Sequence, residues 1–146
     1  MTGTLPAEVG ELDALEDLFL SNNKIRGHLP SEIGNLKSLD LLDVGNNRIE
    51  APLPPELAKL TITGLKLSSN SIEGPLLPEI GHIVSLKRLY LNKNAFTLAI
   101  PKTFVNLTNL RCLSLYANNF TTVLPLQASV RILFSKEIKA FFEKLT

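Results

Sequence analysis

Four glutamates recur at an almost constant spacing, and a row of carboxylates could bind a metal ion or exchange protons with a substrate. They are Glu8, Glu32, Glu56 and Glu79, which stand 24, 24 and 23 residues apart. Each follows a proline by one or two positions, at the start of a predicted helical turn, where a carboxylate interacts favourably with free N–H groups and the helix dipole. We therefore interpret the row as helix-start residues, with a ligand role as the alternative.

Nucleophiles, bases and soft metal ligands are sparse in this sequence. Cys112 is the only cysteine, so neither a disulfide within the chain nor a cysteine-based metal site can form. His28 and His82 have no serine, cysteine or carboxylate beside them in a recognisable nucleophile or metal motif. A glycine-rich phosphate loop is also missing. The sequence therefore predicts no enzyme activity, no catalytic residue, no metal site and no cofactor.

Length and composition indicate one folded domain. The chain has 146 residues, of which 45% are apolar and 20% charged, so the signature of disorder is missing. Fifteen basic and fourteen acidic residues give a net charge of +1, which leaves no electrostatic basis for binding nucleic acid or an anionic membrane. No apolar run is long enough to predict a membrane span, and no secretion signal is recognisable.

Internal repetition is the strongest pattern in the sequence. Five units begin at Leu15, Leu39, Ile62, Leu86 and Leu110, in steps of 24, 23, 24 and 24 residues. Two apolar columns recur in every unit: Leu18, Leu42, Leu65, Leu89 and Leu113, then Leu20, Val44, Leu67, Leu91 and Leu115. This alternation of apolar residues predicts a short strand with one inward face in each unit.

The rest of each unit must carry the chain back to the start of the next parallel strand. In the second half of the first full unit, Ile33 and Leu36 are three residues apart, so they can share one inward face of a helical or 3-10 turn. The units therefore predict an α/β solenoid, with a strand on one side and a helical turn on the other.

One polar column is as regular as the apolar ones. It holds Asn23, Asn47, Asn70, Asn94 and Asn118. After each strand the chain must turn, which leaves backbone N–H and C=O groups pointing into the solenoid, and a stacked amide can bond to both kinds of group. We interpret this column as a structural asparagine ladder.

The segments LEDLFLSNNKIRGHLPSEIGNLKS and LKRLYLNKNAFTLAIPKTFVNLTN resemble the leucine-rich repeat family, in the plant-type subclass that repeats LxxLxLxxNxLxGxIPxxLGxL. The resemblance covers the chain from Gly3 to Pro125. It implies a right-handed horseshoe with one short parallel strand per repeat on the concave face and helical or 3-10 turns on the convex face. It also implies recognition of protein, peptide or glycan ligands, as in receptor-kinase ectodomains, receptor-like proteins and polygalacturonase inhibitors.

The repeat pattern changes at both ends of the chain. We expect a repeat array over 1–131, which begins with half a unit, and a capping helix over 132–146, whose apolar face holds Ile138, Phe141, Phe142 and Leu145. A partner-binding or membrane-surface helix and a tail without a role are the alternatives for that segment. The family's glycine column reads Gly3, Gly27, Ala51, Gly74, Leu98 and Thr122. Its decay argues against a lateral strand in the last two units.

The half unit at the start suggests a fragment of a longer array or a truncated gene product. On this hypothesis the protein would be extracellular or associated with the plasma membrane if it is part of a receptor-like protein. It would be cytoplasmic if the sequence is complete as given. Its oligomeric state stays open.

Residues between the inward leucines should face solvent on the concave side, where they can vary without disturbing the stack. Leu41 and Ser114 are among the positions expected to be exposed. The ligand-binding candidates are Phe19, Asp43, Lys66, Arg88, Tyr90 and Tyr116. The alternative is that these are ordinary surface side chains and that Asp43 and Lys66 merely pair across neighbouring strands.

Together these observations predict a non-catalytic module that binds a protein or peptide on its concave face, as part of a receptor-like or receptor-kinase-like repeat protein. Two other functions stay open. One is an intracellular scaffold or regulator, and the other is an enzyme inhibitor similar to polygalacturonase inhibitors.

Overall fold

A computed structural model describes residues 1–121 and 133–144, and each of the first four full repeats in it contains a three-residue strand followed by a 3-10 helix. The strands are, in chain order, β1 (Thr2–Gly3), β2 (Asp17–Phe19), β3 (Lys24–Gly27), β4 (Leu41–Asp43), β5 (Arg48–Ile49), β6 (Gly64–Lys66), β7 (Glu73–Pro75), β8 (Arg88–Tyr90), β9 (Ala95–Leu98), β10 (Cys112–Ser114), β11 (Asn119–Phe120) and β12 (Leu133–Phe134). The helices are η1 (Ala7–Glu11), η2 (Ser31–Asn35), η3 (Pro55–Lys59), η4 (Pro78–His82), η5 (Lys102–Asn106) and the α-helix α1 (Ser135–Phe142).

The concave face is a six-stranded sheet in the order β2-β4-β6-β8-β10-β12. The first five strands are parallel, and their register places the leucine column in one line: Leu18, Leu42, Leu65, Leu89 and Leu113. The last four of these leucines are fully buried. The structure is the α/β solenoid that the repeat predicts, because alternation along each strand sends one face into a core shared by all units.

The convex face consists of the 3-10 helices, each of which begins directly after an extended residue. Glu8, Glu32, Glu56 and Glu79 lie in the first turns of η1 to η4. Neighbouring helices approach closely, since a Cβ on Gly34 would lie 2.5 Å from the carbonyl oxygen of Glu56. Glycine is needed there because the next unit occupies the space of a side chain.

Two three-stranded lateral sheets flank the concave sheet, in the orders β1-β3-β5 and β7-β9-β11. The lateral strands β9 and β11 contradict the expectation that the decayed glycine column would remove them from the last two units. Leu98 takes the place of glycine with a φ of 59°, beside 79° at Gly27 and 83° at Gly74. Backbone hydrogen bonds to the neighbouring unit therefore hold this conformation without a glycine.

The two ends of the solenoid differ. At the first unit, Leu18 and Leu20 are half-buried, whereas the equivalent leucines further along are fully buried. At the other end, β12 runs antiparallel to β10, a pairing that the repeat pattern did not predict. Ile138, Phe141 and Phe142 of α1 are buried in the same core as the repeats.

The boundary between the array and the C-terminal helix stays a prediction, since 122–132 lie outside the described residues, as do Thr122 and Leu145. In the described parts of the chain, none of the helices has the length and apolar character needed to cross a bilayer.

The asparagine ladder joins each unit to the one before it. The Asn47 Oδ1 accepts the backbone N–H of Ile25 at 3.0 Å, and its Nδ2 donates to the carbonyl oxygens of Leu20 and Val44, both at 2.9 Å. The same three bonds recur at Asn70, Asn94 and Asn118. Two of the three cross to the preceding unit, so each amide fixes the spacing and register of adjacent coils.

A left-handed residue precedes every ladder asparagine. These residues are Asn22, Asn46, Ser69, Lys93 and Ala117, with φ between 54° and 59°. The left-handed conformation turns the chain out of the strand, and it costs non-glycine residues free energy. The turn is therefore stabilised by the bonds that the next residue makes.

We expect Leu98→Gly to stabilise the protein by about 0.5–1 kcal/mol, because glycine adopts a φ of 59° without the steric cost that leucine incurs. Leu98 is 57% exposed, so little apolar burial is lost. Urea unfolding measures the change. Thr97→Gly, at the neighbouring position of β9, is the matched control and should destabilise by a similar amount. Equal destabilisation by both substitutions would contradict this account.

Candidate ligand-binding face

The concave sheet presents one row of side chains across its middle. This central row consists of Phe19, Asp43, Lys66, Tyr90 and Ser114, which are direct neighbours in the strand register. Successive members lie one strand spacing apart, roughly 4.8 Å. The row therefore brings four of the six candidate residues onto one surface.

Asp43 and Lys66 form an ion pair in the centre of the row. The Lys66 Nζ lies 3.3 Å from the Asp43 Oδ2, with 32% and 13% of the two side chains exposed. The Asp43 Oδ1 also accepts the backbone N–H of Gly45 at 3.1 Å. The carboxylate is thus held by two partners, and the pair presents an oriented dipole rather than a free charge.

Tyr90 is half-buried beside the pair. Burial raises the pKa of its phenol above the ordinary value of 10.0, and the nearby Cys112 thiol, which is hydrogen-bonded to it, raises the pKa further, whereas Arg88 acts in the opposite direction. The phenol is therefore neutral at physiological pH, and its oxygen can accept a hydrogen bond from a ligand.

The two candidates with the most exposed side chains, Phe19 and Arg88, lie three strands apart. Phe19, the last residue of β2, is 61% exposed. Arg88 is exposed, and its guanidinium lies next to Gly64, within 3.7 Å of where a Cβ would stand. Tyr116 is half-buried and follows β10, so it lies at the edge of the face rather than in the central row.

Five positions expected to face solvent are buried instead: Leu41, Gly45, Gly64, Asn92 and Ser114. Leu41 is only 8% exposed because it lies over Gly64, where any side chain would collide with its methyl group. Ser114 is 0% exposed, and its hydroxyl has no hydrogen-bond partner. The accessible part of the central row therefore ends at Tyr90.

A shallow cavity of about 360 Å³ opens beside the ion pair, and its floor includes residues that the sequence did not single out. Among its lining residues are Asn22, Asn46, Ser69, Asp43, Lys66 and Tyr90. The Asn46 Nδ2 donates to the Asn22 Oδ1 at 2.7 Å, which links the turns of two units. Asn22 and Asn46 each stand directly before a ladder asparagine, and this position is the sequence feature from which their place in the cavity could have been predicted.

A larger cavity of about 660 Å³ lies elsewhere, between α1 and the end of η5 with the segment that follows it. Its lining includes Val105, Leu107, Leu110, Arg111, Ile138 and Phe142. None of the six candidate residues borders it. It marks the seam where α1 packs against the repeats, and we place the candidate site on the concave face instead.

The histidines, cysteine and carboxylates of the described residues do not gather into a metal-binding group. Within residues 1–121 and 133–144, no group of three or more histidines, cysteines and carboxylates could hold an ion together. His28 and His82 are both exposed and belong to different repeats. The glutamate row is spread over successive convex helices, as expected for helix-start residues.

Comparison with known proteins agrees with the repeat geometry. The leucine-rich repeat model matches residues 14–36, 38–60 and 85–107. The chain belongs to the leucine-rich repeat family. Its repeats are of the plant type, since solved structures similar to it are plant leucine-rich repeat ectodomains. No curated protein sequence matches the chain.

Among leucine-rich repeat structures, a plant peptide hormone receptor, RGFR1 in complex with RGF2, is 32% identical, with a TM-score of 0.80 over 82% of this chain and 19% of that one. The Arabidopsis receptor kinase HAESA, in complex with the peptide hormone IDA and the co-receptor SERK1, is 30% identical, with a TM-score of 0.80 over 85% of this chain and 21% of that one. A plant ice-binding protein is 32% identical, with a TM-score of 0.77 over 82% and 39%. The chain thus spans about a fifth of the two receptor chains.

Removing the hydroxyl should change stability in opposite directions at two serines, because the Ser68 hydroxyl has a hydrogen-bond partner and the buried Ser114 hydroxyl has none. Ser114→Ala should leave stability unchanged or raise it by up to about 1 kcal/mol, because it removes a buried hydroxyl that lacks a hydrogen bond. Ser68→Ala should cost about 1 kcal/mol, since the Ser68 hydroxyl donates to the buried Asn92 Oδ1 at 2.8 Å. Thermal unfolding of both variants measures the difference, and a larger loss for Ser114→Ala would refute the assignment.

Proposed function

We propose that this chain is a non-catalytic recognition module that binds a protein or peptide on its concave face, as one segment of a receptor-like or receptor-kinase-like leucine-rich repeat protein. The observation that carries the proposal is the central row. Phe19, Tyr90 and the Asp43–Lys66 pair stand side by side on a sheet whose backbone is fixed by the asparagine ladder. Such a surface offers aromatic and charged groups at little entropic cost.

The chemistry of the face suits association rather than catalysis. Phe19 is a large apolar group already exposed to water, and tyrosine and arginine are enriched where interfaces concentrate their binding energy. The Asp43 carboxylate is held by Lys66 and by Gly45, so it is not free to act as a general base. A bound ligand would therefore meet pre-oriented groups that recognise it without transforming it.

The solved relatives support the same proposal. RGFR1 is a plant peptide hormone receptor, HAESA was solved in complex with a peptide hormone, and both proteins share the fold of this chain at 30% identity or more. The fold alone does not decide the function, since an ice-binding protein is equally similar. The exposed aromatic and charged residues of the central row favour a peptide or protein ligand.

Surface area favours a longer array. Five strands roughly 4.8 Å apart, with about five residues of about 3.3 Å each, give a planar footprint of roughly 320 Å². A standard interface buries about 800 Å² on each partner. We therefore infer that further repeats or a second partner contribute to the full binding site.

Alanine substitutions on the face test this function. Peptides selected from a random display library against the purified chain should bind at least about tenfold more weakly to Phe19→Ala, Tyr90→Ala or Arg88→Ala, because aromatic and arginine anchors typically contribute more than about 1 kcal/mol. Val84→Ala and Lys102→Ala change an exposed apolar and an exposed cationic residue outside the concave sheet and are the controls. If the selected peptides still bind all three concave-face variants but no longer bind the control variants, the binding site lies elsewhere on the protein.

A further inference from the structure

The edge where the chain enters the concave strands is polarised along the solenoid. In register from the first unit to the fifth, the residues just before each strand are Glu16, Asp40, Thr63, Lys87 and Arg111, and the first strand residues are Asp17, Leu41, Gly64, Arg88 and Cys112. The first two units thus contribute three carboxylates, the third unit contributes no charge, and the last two contribute three cations.

Backbone hydrogen bonds fix the order of these residues. The N–H of Asp40 donates to the carbonyl oxygen of Glu16 at 2.7 Å, and the same bond recurs from Thr63 to Asp40, from Lys87 to Thr63 and from Arg111 to Lys87, each at 2.8 Å. These bonds hold the charged residues in register along the edge of the sheet, with the acidic units at one end and the basic units at the other. We call Glu16, Asp17 and Asp40 the acidic end, and Lys87, Arg88 and Arg111 the basic end.

These charges are available to a partner. All six side chains are exposed, and in the part of the chain that the structure describes none of them takes part in an ion pair. The Asp43–Lys66 pair beside them is internally neutralised and separates the two ends. The cations Lys24, Arg26 and Arg48 belong to lateral strands β3 and β5, on another sheet, so they do not cancel the acidic end.

The acidic and basic ends of the face are far enough apart to attract a ligand's charges independently. Four strand steps of roughly 4.8 Å separate the first unit from the fifth, roughly 19 Å in total, whereas charges are screened over about 8 Å at physiological ionic strength. An extended peptide of about 3.3 Å per residue crosses this span in about six residues. Each end of such a peptide would respond mainly to the protein charges directly beneath it.

We propose that the concave face takes an extended peptide segment of about six or seven residues that is basic at one end and acidic at the other. The basic end of the peptide lies over Glu16, Asp17 and Asp40 of the protein, where exposed Phe19 adds a cation–π contact. The acidic end of the peptide lies over Lys87, Arg88 and Arg111, whose exposed side chains donate charge-assisted hydrogen bonds. This inference rests on the proposed function and specifies the class of ligand.

Two synthetic peptides of one composition test the proposal. Both contain two lysines, two glutamates, a tyrosine, a leucine and a serine; one groups the lysines at one end and the glutamates at the other, and the second alternates them. We expect the grouped peptide to bind about tenfold more tightly at low salt, with the difference shrinking as salt is added, since several exposed ion pairs of modest strength add together. Equal affinity for the two peptides overturns the proposal, and so does a lack of binding by both.

Charge reversal in the protein provides the decisive control. Lys87→Glu with Arg88→Glu should abolish the preference for the grouped peptide and favour a uniformly basic one. Adding Glu16→Lys and Asp17→Lys to that variant should restore the preference, because the polarity is then inverted rather than lost. Lys59→Glu with Lys102→Glu, on convex helices η3 and η5, should change nothing. A preference that persists in the basic-end variant overturns the proposal.

The outcomes separate this inference from the proposed function. A library-selected peptide that depends on Phe19 and Tyr90 but is indifferent to every charge reversal overturns the charge order and leaves the binding face intact. A selected peptide that is indifferent to both kinds of substitution overturns both.

Discussion

The bonds of one side-chain amide to the unit before it are the interaction on which this structure depends. After each of the five repeat strands the chain leaves through a left-handed residue, and from the second unit onward the asparagine that follows accepts one backbone N–H of the previous unit and donates to one of its carbonyl oxygens. These groups would otherwise be unsatisfied beside the apolar core, which costs free energy comparable to a lost hydrogen bond. Because the bonds run between units, the position of each coil is set by its neighbour.

That constraint explains why the side chains of the concave face can vary and so determine binding specificity. The inner leucines and the ladder hold the backbone, so the outward residues of each strand can change without altering the fold. In this chain those residues differ strongly from unit to unit: an exposed phenylalanine in the first, an aspartate in the second, a lysine in the third and a tyrosine in the fourth. A regular scaffold therefore presents an irregular row of side chains, which is the property that a specific binding surface needs.

Most of the fold could be predicted from the sequence, because a period of 23 or 24 residues that fixes Leu42 also fixes Leu65 and Leu89. Predictions failed where a neighbour, rather than the residue itself, decides the outcome. Leu98 was expected to end the lateral strands, yet bonds between adjacent units hold it in a conformation typical of glycine. Leu41 is buried because Gly64 leaves room beside it, and the antiparallel partner of β10 comes from a segment without the repeat. Which outward residues bind a ligand stays a prediction.

Amide hydrogen exchange of the N–H groups that donate to the ladder tests the central claim most directly. These groups belong to Ile25, Ile49, Ile72 and Phe96, and each is bonded to the asparagine of the following unit at 3.0 or 3.1 Å. If the ladder holds the coils together, all four amides should exchange as slowly as those of the central strands β4, β6 and β8. Exchange at the rate of exposed turn amides, while the strands stay protected, would contradict the account.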